Sequence, residues 1–193
     1  MKLTIATLNE DIYEIFKKMF DDEPDVNIYL GSAFNISADA LVSPANSFGY
    51  MDGGFDAQIV DNLGSSIETQ VRYEIEACYF GEINIGEAFR LFIDKRSYKY
   101  LIVAPTMRVP MDVHLTTNAY VAFRAMLREA TRHENIKSIV TPTFCTGIGK
   151  MDPYVAATQM KMAYRNIIKG QRYKTFEMAH ISQIKMLSPD FTN

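Results

Sequence analysis

The sequence contains no tryptophan and only two cysteines, Cys78 and Cys145. So few thiols exclude a disulfide-stapled scaffold and fit a reducing compartment, which makes the cytoplasm the expected address. No stretch approaches the roughly 20 uninterrupted apolar residues of a membrane span. The opening MKLTIATLNEDIYEIF is broken by Asn9, Glu10 and Asp11 too early for a secretory signal. Neither sign of charge dominates: 20 Lys and Arg against 23 Asp and Glu leave a net charge of -3, which argues against a broad nucleic-acid-binding surface. Linker-like composition is also missing, so the 193 residues are expected to form a single domain spanning 1–193. His114, His133 and His180 lie far apart with no metal-ligand spacing around them, so neither a metal nor a cofactor is expected.

What is present is an alternation of short apolar runs and amphipathic stretches. Lys2 to Thr7 reads as a strand, and Asn9 offers an N-cap for a helix whose Ile12, Ile15, Phe16, Met19 and Phe20 share a face and which stops before Pro24. Val26 to Leu30 and Ala40 to Ser43 read as strands, and Phe55 to about Tyr79 as helix broken near Gly64. Strands over Ala88 to Ile93 and Tyr100 to Ala104 follow, then a helix carrying Ala119, Ala122, Phe123, Met126, Leu127 and Ala130. Ser138 to Thr143 is the next strand. Asp152 and Pro153 suit the N-cap and first position of a helix reaching about Ile168, and Phe176, Ile181, Ile184 and Leu187 suggest a last one. This order predicts an α/β fold: a three-layer α/β/α sandwich around a mixed, mostly parallel six-stranded sheet, with the first strand at an edge and antiparallel.

Two glycine-bearing turns, 49–54 and 147–149, fall at the carboxyl ends of strands, where such sheets bind ligands. The second, PTFCTGIGKM, leads into a helix, so its backbone N–H groups and the helix N-terminus suit a phosphate. A tight turn with glycines for steric reasons alone reads equally well. Its spacing matches neither the P-loop nor the dinucleotide fingerprint. No Arg follows Cys145 to clamp a phosphate dianion, so that thiol reads as a small packing residue. The first turn, VSPANSFGYMDGGFD, sets Asn46 at a strand end and Asp56 at a helix start, ten positions on. A carboxylate at a helix N-terminus is also what the helix dipole favours without any ligand. Phe48 and Tyr50 read either as pocket lining or as packing beneath the loop.

These two segments, ADALVSPANSFGYMDGGFD and PTFCTGIGKM, resemble the macrodomain, an ADP-ribose-binding module, in order and spacing over nearly the whole chain, and are similar to the hydrolytic members. The resemblance implies that Asn46 contacts the ribose distal to adenine and that Asp56 positions or activates water. It also implies that Asp52, Gly53 and Gly54 lie beside that ribose and its phosphate. Thr146, Gly147, Ile148 and Gly149, with Cys145 and Lys150 at the ends, would wrap the pyrophosphate. Ser32 and Ala33 fall in the adenine segment, with Ser32 where the family has an Asp that accepts from the adenine amino group. Asp52 replaces a family glycine, and Lys150 and Met151 replace an aromatic residue. The implied function is binding of ADP-ribose or a related NAD-derived nucleotide, with hydrolysis of an ADP-ribosyl bond or of ADP-ribose 1″-phosphate. The alternatives are a non-catalytic ADP-ribose reader and a degenerate domain used for protein contacts. The implied partners are ADP-ribose or ADP-ribosylated protein or nucleic acid.

Overall fold

The structure, a computed structural model, describes residues 1–188. Strands β1 (Lys2–Thr7), β2 (Val26–Leu30), β3 (Ala40–Ser43), β4 (Phe89–Lys95), β5 (Tyr98–Val103) and β6 (Ser138–Pro142) form one sheet in the order β2-β1-β6-β3-β5-β4. Helices α1 (Glu10–Met19), α2 (Gly54–Leu63), α3 (Ser66–Tyr79), α4 (Asn118–Thr131), α5 (Pro153–Ile167) and α6 (Phe176–Leu187) complete it, with a 3-10 turn at Ala33–Asn35. The mixed, mostly parallel α/β/α sandwich is as expected.

One expectation is corrected. The first strand is interior, parallel to β2 on one side and to β6 on the other. The antiparallel edge is β4. The reason is connection length. Only Arg96 and Ser97 separate β4 from β5, and so short a link can join only antiparallel neighbours, whereas α1 gives β1 the crossover that parallel pairing with β2 requires.

Side-chain alternation divides the core into two faces. Leu3, Ile5, Val42, Ile102 and Ile139 pack with Phe16 of α1, Phe123 and Met126 of α4, and Ala156 and Met160 of α5. Their neighbours Ala6, Leu41, Leu101, Val103 and Val140 pack with Ile59 and Leu63 of α2 and Ile67, Val71 and Ile75 of α3. The period of two along each strand thus builds both helical layers at once.

Local signals act as their chemistry dictates. The Asn9 side chain accepts from the Ile12 N–H at 2.9 Å, and Asp152 accepts from Tyr154 N–H at 2.8 Å with Pro153 following. Gly64, at φ 100°, ends α2. The last helix forms, but Phe176, Ile181 and Ile184 face outward while Ser182 and Met186 turn in. Among the described residues, no helix is long and apolar enough to cross a membrane.

Candidate functional site

A cavity of about 260 Å³ opens at the carboxyl ends of β3 and β6. These strands are neighbours in the sheet, so the chain that leaves each one meets the other there. Pro44, Ala45 and Asn46 continue from β3, Pro142 ends β6, and Thr143 continues from it. Tyr50 and the segment Asp52 to Asp56 form one wall, and Cys145 with Gly147, Ile148 and Gly149 the other. Thr106, Met107 and Pro110, which follow β5, close the third side.

The first bend is built on the Asn46 carboxamide. Its Oδ1 accepts the N–H groups of Phe48 (3.1 Å) and Tyr50 (3.3 Å), and its Nδ2 donates to the Tyr50 carbonyl (2.7 Å). One N–H of that amide is left over. The bend ends on Gly53, which caps α2 without a side-chain hydrogen bond, and Gly54 takes φ +60° in open space. Among the described residues, the backbone N–H groups of Gly53, Gly54, Phe55 and Asp56 have no acceptor within the protein, as the first turn of a helix requires.

The second bend is pinned by Met151 N–H to the Cys145 carbonyl (3.0 Å), Lys150 N–H to the Gly147 carbonyl (2.9 Å) and Val113 N–H to the Gly149 carbonyl (2.9 Å). Cys145 and Lys150 both hold left-handed backbone, at φ 63° and 51°, a strained state for non-glycine residues; among the described residues Phe80 and Asp94 share it elsewhere. At Gly149 a Cβ would stand 2.7 Å from the Cys145 carbonyl oxygen, so close approach alone requires glycine. The N–H groups of Gly147, Ile148 and Gly149 likewise have no protein acceptor among the described residues. Donors without partners therefore flank the cavity from both bends, and among the described residues no Lys, Arg or His side chain lines it. Fixed backbone donors and a helix N-terminus suit an anion held without a counter-cation.

Asp56 sits at the inner end. Ser43 Oγ donates to its Oδ1 at 2.7 Å, while Oδ2 has no protein partner among the described residues. Burial pushes the carboxyl up to about 6, against the lowering effect of the Ser43 bond. A carboxylate balanced near neutrality, with one oxygen free, can accept a proton from water or from a sugar hydroxyl.

Four of the residues expected at the site stand outside the cavity wall. Ser32 accepts from Phe34 N–H (3.3 Å), capping the 3-10 turn. Ala33 is buried, and its carbonyl accepts from Tyr98 Oη–H (2.9 Å). Thr146 pairs its hydroxyl with that of Thr143 at 2.7 Å, and Lys150 follows the loop rather than lining it. Cys145 does line the wall, with its thiol pushed up to about 12 by burial, which keeps it neutral. Tyr50 lines the wall and carries Arg72 over its ring at 4.4 Å, whereas Phe48 lies outside with Arg108 over it. Sequence reasoning missed Ser43 and the Thr106–Met107–Pro110 wall. The only available signal for the wall was the proline-flanked run APTMRVP directly after a strand. Among the described residues, no group of three or more His, Cys, Asp or Glu could hold a metal ion.

Residues 42–160 match the family model described as Macro domain. An uncharacterized protein of Aquifex aeolicus is 34% identical over 136 residues, covering 70% of this chain and 78% of that protein. The fold is similar to that of the macrodomain of Mycobacterium tuberculosis DarG, with a TM-score of 0.60 and 23% identity over 70% of this chain and 87% of that one. A mutant of the Oceanobacillus iheyensis macrodomain, solved with ADPR, matches at a TM-score of 0.62 and 14% identity, covering 80% of this chain and 88% of that one.

Proposed function

The chain belongs to the macrodomain family, and on that premise we propose that the cavity between its two glycine bends binds ADP-ribose and that Asp56 hydrolyses an ADP-ribosyl bond there. The observation that carries this reading is the set of unpaired N–H groups from Gly53 to Asp56 and from Gly147 to Gly149, on residues that line a cavity with no basic side chain among the described residues. Such donors hold a diphosphate by preorganised dipoles. Ligand-bound relatives support it, since the Oceanobacillus iheyensis macrodomain mutant was solved with ADPR.

The chemistry follows from the Asp56 carboxylate. Water bonded to Oδ2 attacks the anomeric carbon of the distal ribose as its proton passes to Asp56. The bond from that carbon to the carrier oxygen or nitrogen breaks, and the carrier leaves with the proton that Asp56 took from the water. With a terminal 1″-phosphate as substrate, water attacks phosphorus instead, its proton passes to Asp56, the P–O bond to the ribose breaks, and the ribose oxygen leaves with that proton while inorganic phosphate is released. Diphosphate anchoring supplies the positioning that makes the attack effectively unimolecular. Work in the cytoplasm on ADP-ribosylated protein or nucleic acid fits this reading.

One observation favours a non-catalytic reader instead: Asn46, the residue expected on the ribose, spends most of its carboxamide on the first bend. Calorimetry with ADP-ribose, combined with incubation against ADP-ribosylated protein, ADP-ribosylated nucleic acid and ADP-ribose 1″-phosphate, tests both. Turnover abolished by Asp56→Ala with binding retained establishes the hydrolase. Binding with no turnover of any substrate leaves the reader, and absence of binding removes both.

A further inference from the structure

We infer that the outer face of α6 pairs with the same face of a second copy of this chain, the two helices running antiparallel about a two-fold axis that passes beside Ile181.

The apolar pattern of the last helix marks Phe176, Ile181, Ile184 and Leu187 as core residues, yet all four are exposed, and Met178 with them. The opposite side holds α6 to the body: Ser182 and Met186 are buried, and Gln159 Nε2 of α5 donates to the Met186 carbonyl at 2.9 Å. An α-helix advances about 100° per residue, so Met178 and Ile184 lie about 60° to either side of Ile181, and Glu177 and Lys185 about 40° to either side. One outward face therefore carries an apolar centre, with a carboxylate in its first turn and an ammonium group in its last. Among the described residues, neither charged side chain has a hydrogen bond or an ion pair. An apolar patch rimmed by such groups marks an interaction surface.

This face is its own complement. Positions 177 and 185 are equidistant from 181, as are 178 and 184, so a copy turned end for end about Ile181 brings each Glu177 level with Lys185 of the partner subunit, twice by symmetry. The Met178, Ile181 and Ile184 strips then cover one another. Parallel pairing instead sets Glu177 level with Glu177 and Lys185 level with Lys185, which like-charge repulsion opposes. Twelve residues make a seam about 18 Å long, too short to reach the roughly 800 Å² per partner of a standard interface, so the association is reversible and lies in the micromolar range.

Sedimentation equilibrium of the full chain from about 1 to about 500 μM tests this, and a monomer–dimer equilibrium with its midpoint inside that range is expected. Ile181→Asp, at an exposed position, should weaken the dimer by at least about a hundredfold. Glu177→Lys sets ammonium groups level with one another at both ends of the seam, and Lys185→Glu does the same with carboxylates. Each alone should weaken association by about tenfold, and an equimolar mixture of the two variants should return it to within about threefold of the unaltered chain. A chain that stays monomeric throughout the range overturns the proposal, as does a dimer that Ile181→Asp leaves intact. Charge variants that associate as well as the unaltered chain, or a mixture that regains nothing, overturn the antiparallel pairing.

Discussion

Ser43 and Asp56, thirteen positions apart, share a 2.7 Å hydrogen bond at the floor of the cavity, where the end of β3 meets the first turn of α2. Both are buried, and the bond fixes one carboxylate oxygen so that the other is left to the cavity. Burial raises the Asp56 pKa while the Ser43 hydroxyl restrains the rise, which makes this residue the most pH-sensitive element of the site.

Stability should therefore respond to pH at this group. A native pKa of about 6, above the ordinary 3.8, means that the folded chain binds more protons than the unfolded chain between those values. Burial of the charge then costs stability as pH rises through that window, and the full penalty holds above it. Asp56→Asn keeps an acceptor for Ser43 and removes the charge. It is expected to stabilise the protein by up to about 3 kcal/mol at pH 8, with little effect at pH 3. Urea unfolding at the two pH values measures it, and equal effects at both would contradict a charge-burial origin.

Hydrolysis should show an acid limb with its midpoint near the Asp56 pKa of about 6, because the base must be ionised. Ser43→Ala removes the interaction that lowers this pKa, so the midpoint should move upward. Single-turnover rates against pH for both proteins report the shift, and an unmoved midpoint separates Ser43 from the tuning of Asp56.

Asn46→Ala should loosen the first bend rather than merely delete a ligand contact. The N–H groups of Phe48 and Tyr50 lose their shared acceptor, so their hydrogen exchange is expected to speed up by at least about tenfold even without ligand. Unchanged protection at both amides would mean that the bend holds without the carboxamide.

Gly149→Ala forces a Cβ to within 2.7 Å of the Cys145 carbonyl oxygen and 2.8 Å of Val113 Cγ2. The bend must shift to accept it, at a cost of about 1–3 kcal/mol in stability. ADP-ribose affinity should fall by about tenfold or more as the N–H groups leave their places. Denaturant unfolding and calorimetry check the two effects on the same preparation.

Tyr98→Phe serves as the contrasting case. It removes a buried hydrogen bond to the Ala33 carbonyl, which still accepts from Ile36 N–H, so about 1 kcal/mol of stability should be lost. Because Ala33 stands outside the cavity wall, ADP-ribose affinity should not change. A marked loss of affinity would tie the 3-10 turn to the ligand.

What the sequence alone determined is local. Caps at Asn9 and Asp152, the stop at Gly64, the period-two runs and the two glycine bends all depend on dihedral preferences and on partners a few residues away, and each stands where the pattern puts it. Asn46 and Asp56 could be singled out for the same reason, as polar residues next to a bend. Tertiary structure decided the rest. Only the strand order brings β3 beside β6, and so the bend at Gly53 against the bend at Gly147. It also puts β1 in the interior, turns Ser32 and Ala33 to capping and packing, and sets Ser43 on Asp56. Strand neighbours and desolvation are set by groups remote along the chain, so the distance between the two walls and the raised carboxyl of Asp56 exist only once the sheet is assembled.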